Sequence, residues 1–322
     1  MNKLNSLFGS GKNSKLKYYI ISSLRGLVPS AWLQHRLPMV LQGVENRSDK
    51  LAIEDRVNYY NRLPAGSFLP NNAPKLQDFR KKGHRSVYYY DTYEYVRWFP
   101  KHYRWCYVFG DVREVPEVPS IVKSRPLVAE NANSVLLNLN KVRHFIFLKD
   151  PIPFRAKQNR VIFRGEVDGK LGRLQFMERW YGHPMCDLGD VSSKINNPLW
   201  MSSKRSIYEH LDYKFIMALE GNDVASNLKW VMSSNSLAVM PPPCFETWFM
   251  EGRLIPNYHY VAIKPDFSDL EERLQYYIDH PEEAEQIIQH AHEWVDQFKD
   301  PMREKLISLL VLDRYFCRNG QK

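Results

Sequence analysis

Between Tyr213 and Lys264, apolar stretches suited to β-strands alternate with short segments suited to helices. The pattern predicts strands over 213–219, 236–240 and 258–263, a helix over 225–233, and another helix that begins near Phe245. This alternation favours a parallel sheet with crossover helices. Small or polar residues follow the strands, EGND after the first and PPP, then FETW, after the second. Because ligands of open α/β sheets bind outside the carboxyl ends of the strands, the run also predicts a binding site.

The same alternation extends on both sides of this run. A strand over Arg160–Phe163 is followed by a helix from about Arg173, and further helices continue to about residue 295. Ser268 and Glu271 have the spacing of a capping box, and Pro281 suits the first turn of the next helix. Residues 303–316 are predicted to form a last amphipathic helix.

The first half of the chain is less regular. Residues 1–50 read as helices and loops, and a helix is predicted over Ala52–Leu63. Strands are predicted over 105–112, ending at Gly110 and Asp111, and over 143–148. A proline-containing stretch near 149–158 indicates a boundary. We therefore predict an α/β protein with domains at residues 1–150 and 151–300, a C-terminal amphipathic helix at 301–322, and a cleft between the strand ends of the two domains.

Composition limits the class of protein. The chain has 322 residues, 44% of them hydrophobic, and a net charge of +9, which favours an anionic partner. Its four cysteines form no C-x-x-C pair, which disfavours a zinc ribbon or a disulfide framework and suits a reducing compartment. No run of 18 apolar residues occurs, so no membrane span is expected.

The N-terminal segment is basic and contains apolar residues at helical spacing. Its basic residues are Lys3, Lys12, Lys15, Lys17 and Arg25, and they surround Tyr18, Tyr19, Ile20, Ile21, Leu24 and Leu27. Two interpretations stay open: a surface helix packed on its own domain, which is the commoner case, or a basic amphipathic helix on an anionic membrane surface.

Two arginines are candidates for binding a nucleotide pyrophosphate. Arg164 follows a predicted strand and precedes Gly165, and Arg173 lies near the start of the next helix. The alternative for each is a solvated surface charge. The glycine spacing here is G-x-x-x-G-x-x-G, which is neither the Rossmann fingerprint nor a P-loop.

Further donor candidates lie at the other strand ends. The turn after the predicted strand 213–219 consists mainly of small and polar residues that let a ligand approach the backbone. Its residues are Gly221, Asn222, Asp223, Val224, Ala225, Ser226 and Asn227. The alternative is a capped turn without a ligand. Glu246 is predicted at a helix start, where its carboxylate can accept hydrogen bonds from ribose hydroxyls. The alternative is an acidic residue that the helix dipole favours at this position. Glu251 is interpreted as structural.

In the first half, two carboxylates flank a strand end. Asp111 or Glu114 can act as a general base for a hydroxyl nucleophile, and the alternative is a carboxylate that stabilises a turn. A basic lining suited to a phosphorylated acceptor is predicted from Lys123, Arg125, Arg143 and His144. No D-x-D triplet occurs, so no metal site and no cofactor are predicted.

Five motifs resemble glycosyltransferase family 90, and most resemble its bacterial lipopolysaccharide-core branch. That family also includes protein O-glucosyltransferases and fungal capsule xylosyltransferases. The motifs are VPEVPSIVKSRP from Val115, FRG at Phe163–Gly165, YKF at Tyr213–Phe215, EGNDVASNLKW at Glu220–Trp230, and the stretch from Glu246 to Leu274.

The resemblance implies a GT-B fold of two Rossmann-like domains, a UDP-sugar co-substrate, and inversion without a metal. It implies donor contacts from Arg164, Arg173, the 221–227 turn and Glu246. Eukaryotic members use an aspartate base in a stretch similar to VRDYPQVP, and the ungapped match VREVPEVP places Glu114 there. We rank Asp111 slightly higher, because a residue that ends a strand beside Gly110 is well placed to face the cleft.

The resulting hypothesis is an inverting transferase that moves a sugar from a UDP-sugar to a lipid-linked core oligosaccharide. It would work in the cytoplasm, peripherally on the anionic inner face of the membrane, without nucleic acid as a partner. The alternative is a non-catalytic module that binds acidic glycan or nucleic acid through its charge, although the chain carries no nucleic-acid signature.

Overall fold

A computed structural model describes residues 11–81, 86–194 and 197–322. The chain divides into two compact units. The five-stranded unit comprises residues 11–13, Arg143–Cys244 and Glu251–Gln297. The helix-rich unit comprises Ser14–Val142, Phe245–Met250 and Phe298–Lys322. Residues 245–250 and 298–322 thus group with the first half of the chain, unlike the ranges predicted from sequence.

The five-stranded unit is built on one parallel sheet. Its strands are β5 (Gln158–Gly165), β6 (Cys186–Asp190), β7 (Tyr213–Met217), β8 (Leu237–Met240) and β10 (Val261–Ala262). Its helices are α6 (Leu171–Trp180), α7 (Ile207–His210), α8 (Leu228–Met232), α9 (Leu270–Asp279) and α10 (Pro281–Asp296). The strand order is β10-β8-β7-β5-β6, and every pairing is parallel.

The sequence explains why this sheet forms. Every residue of β7 and of β8 is buried, as expected for central strands covered by helices on both faces. Side chains from strands and helices share one core, with Phe176, Phe215 and Val239 fully buried in it. Pro281 opens α10 at the position where its missing N–H costs nothing.

The helix-rich unit contains five longer helices and short strands. The helices are α1 (Lys15–Arg25), α2 (Ser30–Gln42), α3 (Lys50–Tyr60), α4 (Ser86–Val96) and α11 (Pro301–Arg318), and the short α5 (Lys141–His144) leads into the residues of the other unit. The strands β1 (Tyr107–Val108), β2 (Ser120–Val122) and β4 (Ser134–Leu136) form a parallel sheet. The strands β3 (Ser124–Pro126) and β9 (Phe245–Thr247) pair antiparallel.

Helix α11 is held to this unit by defined polar contacts. The carboxylate of Asp300 caps it by accepting from the backbone N–H groups of Met302 (2.9 Å) and Arg303 (3.2 Å). The Arg56 guanidinium of α3 donates to both carboxylate oxygens of Glu304, at 2.6 and 3.0 Å. Because both side chains are buried, this bidentate pair fixes α11 against α3.

Several local predictions were wrong. Phe245 begins β9 rather than a helix, because its backbone pairs with β3. Residues 143–148 form no strand, since α5 continues to His144 and irregular chain follows. The capping box at Ser268 is absent: Asp269 precedes α9 without a side-chain cap, and the Ser268 N–H donates to Asp266 Oδ1 (3.1 Å).

The architecture is mixed α/β with parallel sheets and is compatible with Rossmann-like folds. The predicted strand and helix alternation after residue 160 is confirmed by β5, α6, β7, β8, α9 and α10. Across the described ranges, every helix is too short or too polar to cross a bilayer. The predicted N-terminal basic residue Lys3 lies outside the described residues.

Candidate active site

The five-stranded sheet has a topological switch point at its carboxyl edge. The chain passes from β5 to β6 on one side and then returns to β7 on the other side. Ligands of open α/β sheets bind at such a point, because the two diverging loops leave a crevice. The residues that follow β5 and β7 are therefore the first to inspect.

Arg173 of α6 spans both of these loops. Its guanidinium donates to the carbonyl oxygen of Glu166 after β5 (2.9 Å). It also donates to the carbonyl oxygens of Leu219 (2.8 Å) and Glu220 (3.0 Å) after β7. A guanidinium has five N–H donors, so these three bonds leave two N–H groups for a ligand at the switch point.

The charge of Arg173 is held in an unfavourable environment. Burial lowers the pKa of its guanidinium, the nearby Glu166 carboxylate raises it, and the Arg143 guanidinium lowers it again. Within the described ranges, Arg173 makes no salt bridge. An anion bound here would relieve the repulsion between Arg173 and Arg143. Arg143, predicted to face an acceptor, thus belongs to the five-stranded unit and lies near Arg173.

Two predicted donor-site glycines make room for Arg173. A Cβ atom at Gly221 would lie 3.2 Å from Arg173 Nη2, and one at Gly165 would lie 3.3 Å from Arg173 Nη1 and 2.6 Å from the Phe163 ring. These separations are shorter than ordinary carbon contacts. Gly165 and Gly221 are therefore needed for the position of the arginine.

The 221–227 turn covers the end of β7. The Gly221 N–H donates to the carbonyl oxygen of Asp223 (2.9 Å), and Asn227 Nδ2 donates to the carbonyl oxygen of Met217 (2.8 Å). Asp223, Val224 and Ala225 are buried, and Ser226 is half-buried. Because the turn is fixed to its own strand, it forms a rigid wall.

Behind this wall lies a cavity of about 200 Å³. It is mainly apolar, and its lining includes Val224, Ala225, Met240, Pro241 and Phe267. The remaining lining residues are Gly172, Ala218, Leu219, Glu220, Leu228, Pro242, Pro243, Cys244, Glu251 and Pro265. The Glu220 carboxylate accepts from the Cys244 N–H (3.0 Å), which joins the loops after β7 and β8. A flat ring whose faces pack on apolar side chains, such as a nucleobase, suits this kind of cavity.

A buried ion pair supports the cavity. The Lys229 ammonium donates to Glu251 Oε1 at 2.6 Å, and the two side chains are 0% and 1% exposed. Glu251 also lines the cavity. The sequence analysis missed this pair, because nothing in the spacing of two residues 22 positions apart signals a contact.

Arg164 is engaged by Asp187 on the neighbouring strand. Its guanidinium donates to the carboxylate (2.5 Å) and the carbonyl oxygen (2.8 Å) of Asp187 in β6. Burial raises the pKa of Asp187, but hydrogen bonds from Tyr213 and Arg164 and the charge of Arg205 lower it overall. Arg164 is thus one member of a partly buried charge network, and its side chain is 6% exposed.

Glu246 and Arg125 form a second fully buried ion pair, in the helix-rich unit. Arg125 Nε donates to Glu246 Oε1 at 2.7 Å, and both side chains are 0% exposed. The Tyr59 hydroxyl donates to the other carboxylate oxygen. The Arg125 guanidinium also donates to the carbonyl oxygens of Tyr59 (2.8 Å) and Ser134 (3.1 Å). Neither residue presents a polar group to solvent, so we leave both out of the proposed ligand sites.

The two candidate bases differ in their surroundings. Asp111 Oδ1 accepts from the Lys123 ammonium at 2.7 Å, and that lysine side chain is 2% exposed. Asp111 therefore neutralises a buried cation. Glu114 is exposed and makes no hydrogen bond or ion pair with any described residue. Of the two, only Asp111 has a cation hydrogen-bonded to it, and the choice of base stays a prediction.

The remaining predicted acceptor residues fall in both units. Lys123 of the helix-rich unit is engaged by Asp111, whereas the exposed Arg143 and the buried His144 belong to the five-stranded unit. No group of three or more metal-ligating side chains occurs within 11–81, 86–194 and 197–322.

Comparison with known proteins identifies the family. The family model for glycosyl transferase family 90 matches residues 146–304. The chain is 43% identical over 304 residues to O-glucosyltransferase LpsA of Dichelobacter nodosus, an alignment that covers 94% of this chain and 95% of the relative. The chain belongs to glycosyl transferase family 90.

More distant relatives are eukaryotic. Protein O-glucosyltransferase 3 of Homo sapiens is 26% identical over 172 residues, which covers 52% of this chain and 33% of that protein. The protein of the same name from Rattus norvegicus matches to the same extent. The family 90 match includes Arg173, the 221–227 turn and the Lys229–Glu251 pair, whereas Asp111 and Glu114 precede the matched range.

Proposed function

We propose that this family 90 glycosyltransferase moves a sugar from a UDP-sugar to a hydroxyl of the lipopolysaccharide inner core, with inversion at the anomeric carbon. The GT-B fold and a cytoplasmic location are part of the proposal. The name of the Dichelobacter nodosus relative, an O-glucosyltransferase, favours glucose as the transferred sugar. The observation that carries the proposal is the position of Arg173 at the switch point of the sheet.

The five-stranded unit offers complementary groups for the nucleotide. The two unused N–H groups of Arg173, with Arg143 nearby, suit a pyrophosphate. The apolar cavity beside them suits the uracil ring. Negative charge builds on the leaving UDP in the transition state, so a fixed guanidinium lowers the barrier as well as binding the donor.

The helix-rich unit offers the base. We assign this role to Glu114, and Asp111 is the second candidate. The Glu114 carboxylate removes the proton from the acceptor hydroxyl as its oxygen bonds to the anomeric carbon. The bond from that carbon to the UDP oxygen breaks with both electrons leaving on UDP. The proton stays on Glu114, so the step needs no further reactant.

A donor screen tests this proposal. Purified protein with a panel of UDP-sugars is expected to release UDP from one of them, with or without EDTA, because arginines stand where a metal would neutralise phosphate. Loss of turnover in EDTA would contradict the metal-independent mechanism. If no UDP-sugar binds or turns over, the alternative of a non-catalytic binding module is favoured.

Replacing Arg173 by alanine is expected to weaken UDP binding. Loss of a charge-assisted contact costs about 1.5–3 kcal/mol, which corresponds to roughly 10- to 150-fold in the dissociation constant. Calorimetric titration with UDP measures the change. Arg179→Ala is the matched control, because Arg179 is an exposed arginine on the same helix.

Arg164→Ala belongs in the same titration. Its guanidinium is bound by Asp187, so we expect a smaller loss of UDP affinity than for Arg173→Ala. Equal losses of UDP affinity in the two variants would indicate that Arg164 also binds the donor. Unchanged affinity in Arg173→Ala would remove Arg173 from it.

A further inference from the structure

Helix α1 presents an aliphatic face to solvent. Leu16, Ile20 and Leu24 are 72%, 51% and 58% exposed, and Leu27 just after the helix is 77% exposed. Their spacing of three to four residues places them on one side. We call these four residues the aliphatic patch. A surface helix normally buries such a face.

The opposite face of α1 packs on α4 through hydroxyl groups. The Tyr18 hydroxyl donates to Asp91 Oδ1 at 2.8 Å, and the Tyr19 and Ser86 hydroxyls are hydrogen-bonded at 3.0 Å. Ser22 is buried on the same face. The helix is therefore already attached to its unit by polar groups, and the aliphatic patch contributes nothing to that attachment.

Aromatic and basic groups continue from the patch onto α2. Trp32 is 50% exposed, and the Arg36 guanidinium lies 4.6 Å from its ring centre. Arg25, Trp32 and Arg36 line one groove. Exposed tryptophan beside arginine is typical of surfaces that meet the headgroup layer of a membrane.

Basic residues predominate in the sequence of this segment, and one of them, Arg25, forms an ion pair with Glu94 of α4 at 2.6 Å. The chain contains no aspartate or glutamate before Glu45. The basic residues before that position are Lys3, Lys12, Lys15, Lys17, Arg25 and Arg36. These six account for most of the net charge of +9. The segment thus combines an exposed apolar face with an excess of positive charge.

We infer that the aliphatic patch inserts into the headgroup region of an anionic lipid bilayer. Apolar insertion and attraction to anionic lipid are the two signals that together give stable peripheral binding. A second copy of this chain is the weaker candidate, because it would bring a surface of the same positive charge against the patch. This inference goes beyond sugar transfer and does not depend on the identity of the donor.

Vesicle cosedimentation tests the inference with the full chain. Vesicles of phosphatidylcholine alone are compared with vesicles that also contain phosphatidylglycerol. We expect binding to the anionic vesicles only, and a reduction of at least about tenfold in the double variant Ile20→Glu, Leu24→Glu. Leu51→Glu and Leu199→Glu are matched controls, because these leucines are 80% and 74% exposed elsewhere.

Each outcome of the vesicle experiment either supports or overturns the inference. Weaker binding by the double variant alone, with its UDP affinity and melting temperature unchanged, supports the inference. Equal binding by all variants, or no binding of the unaltered protein to anionic vesicles, overturns it. A dimer in solution that the double variant converts to a monomer would assign the patch to a second copy instead.

Discussion

Replacing Glu114 by glutamine is expected to lower turnover by about 10²–10⁴-fold, the usual effect of losing a general base. Glutamine keeps the size of the side chain but cannot accept the proton. UDP affinity is expected to stay the same, because the base contacts only the acceptor. Transfer assays and UDP titration on the same preparation measure the two quantities.

Asp111→Asn is the matched comparison. The Asp111 carboxylate neutralises the buried Lys123 ammonium, so we expect this variant to lose stability by about 1–3 kcal/mol and to retain most of its turnover. If Asp111→Asn is inactive while folded and Glu114→Gln is active, the order first given by the sequence is right. If both remain active, the base lies elsewhere.

Breaking the Lys229–Glu251 pair is expected to lower the stability of the fold more than any other substitution proposed above. Both side chains are buried, and replacing the lysine removes the ammonium that is paired with the Glu251 carboxylate in the protein interior. Lys229→Met is therefore expected to lower the free energy of unfolding by about 3–5 kcal/mol. Denaturant titration measures the difference.

The double variant Lys229→Met, Glu251→Leu serves as the control. With both charges replaced by apolar groups, stability is expected to recover to near or above that of the unaltered protein. UDP affinity is informative too, because Glu251 lines the cavity. A stable double variant that no longer binds UDP would show that Glu251 acts in the site and not only in the fold. The single variant Glu251→Leu completes the set. If the double variant loses as much stability as the two single variants combined, the two charges do not interact.

Periodicity predicted four of the five strands of the five-stranded unit, β5, β7, β8 and β10, but missed β6 and the short helix α7. Strands such as β7 are apolar along their whole length, and small residues mark where they end, so a local pattern carries the information. The prediction of a helix at Phe245 failed, because β9 is fixed by pairing with β3. In that pair Arg125 lies opposite Glu246, which is 121 positions away in the sequence. Pairing over such a distance has no local signature.

The candidate site shows the same division. Strand ends and the arginines near them were visible in the sequence, and Arg173 lies at the switch point. Which arginine is neutralised could not be seen, since the partner of Arg164 is Asp187 on the neighbouring strand. The same holds for Asp111, whose ion pair with Lys123 has no signature in the sequence. Sequence identifies candidate charges, and packing determines which of them remain available.

The route of the chain through its two units bears on how the protein is made. The helix-rich unit begins at Ser14 but needs Phe245–Met250 and Phe298–Lys322 to be complete. Arg56 of α3 can form its ion pair only after Glu304 has been synthesised, 248 positions later. During synthesis from the N-terminus, the five-stranded unit has all its strands and helices by Gln297, whereas α1–α4 emerge first and lack β9 and α11. The half of the protein that is translated first is therefore the half that finishes folding last.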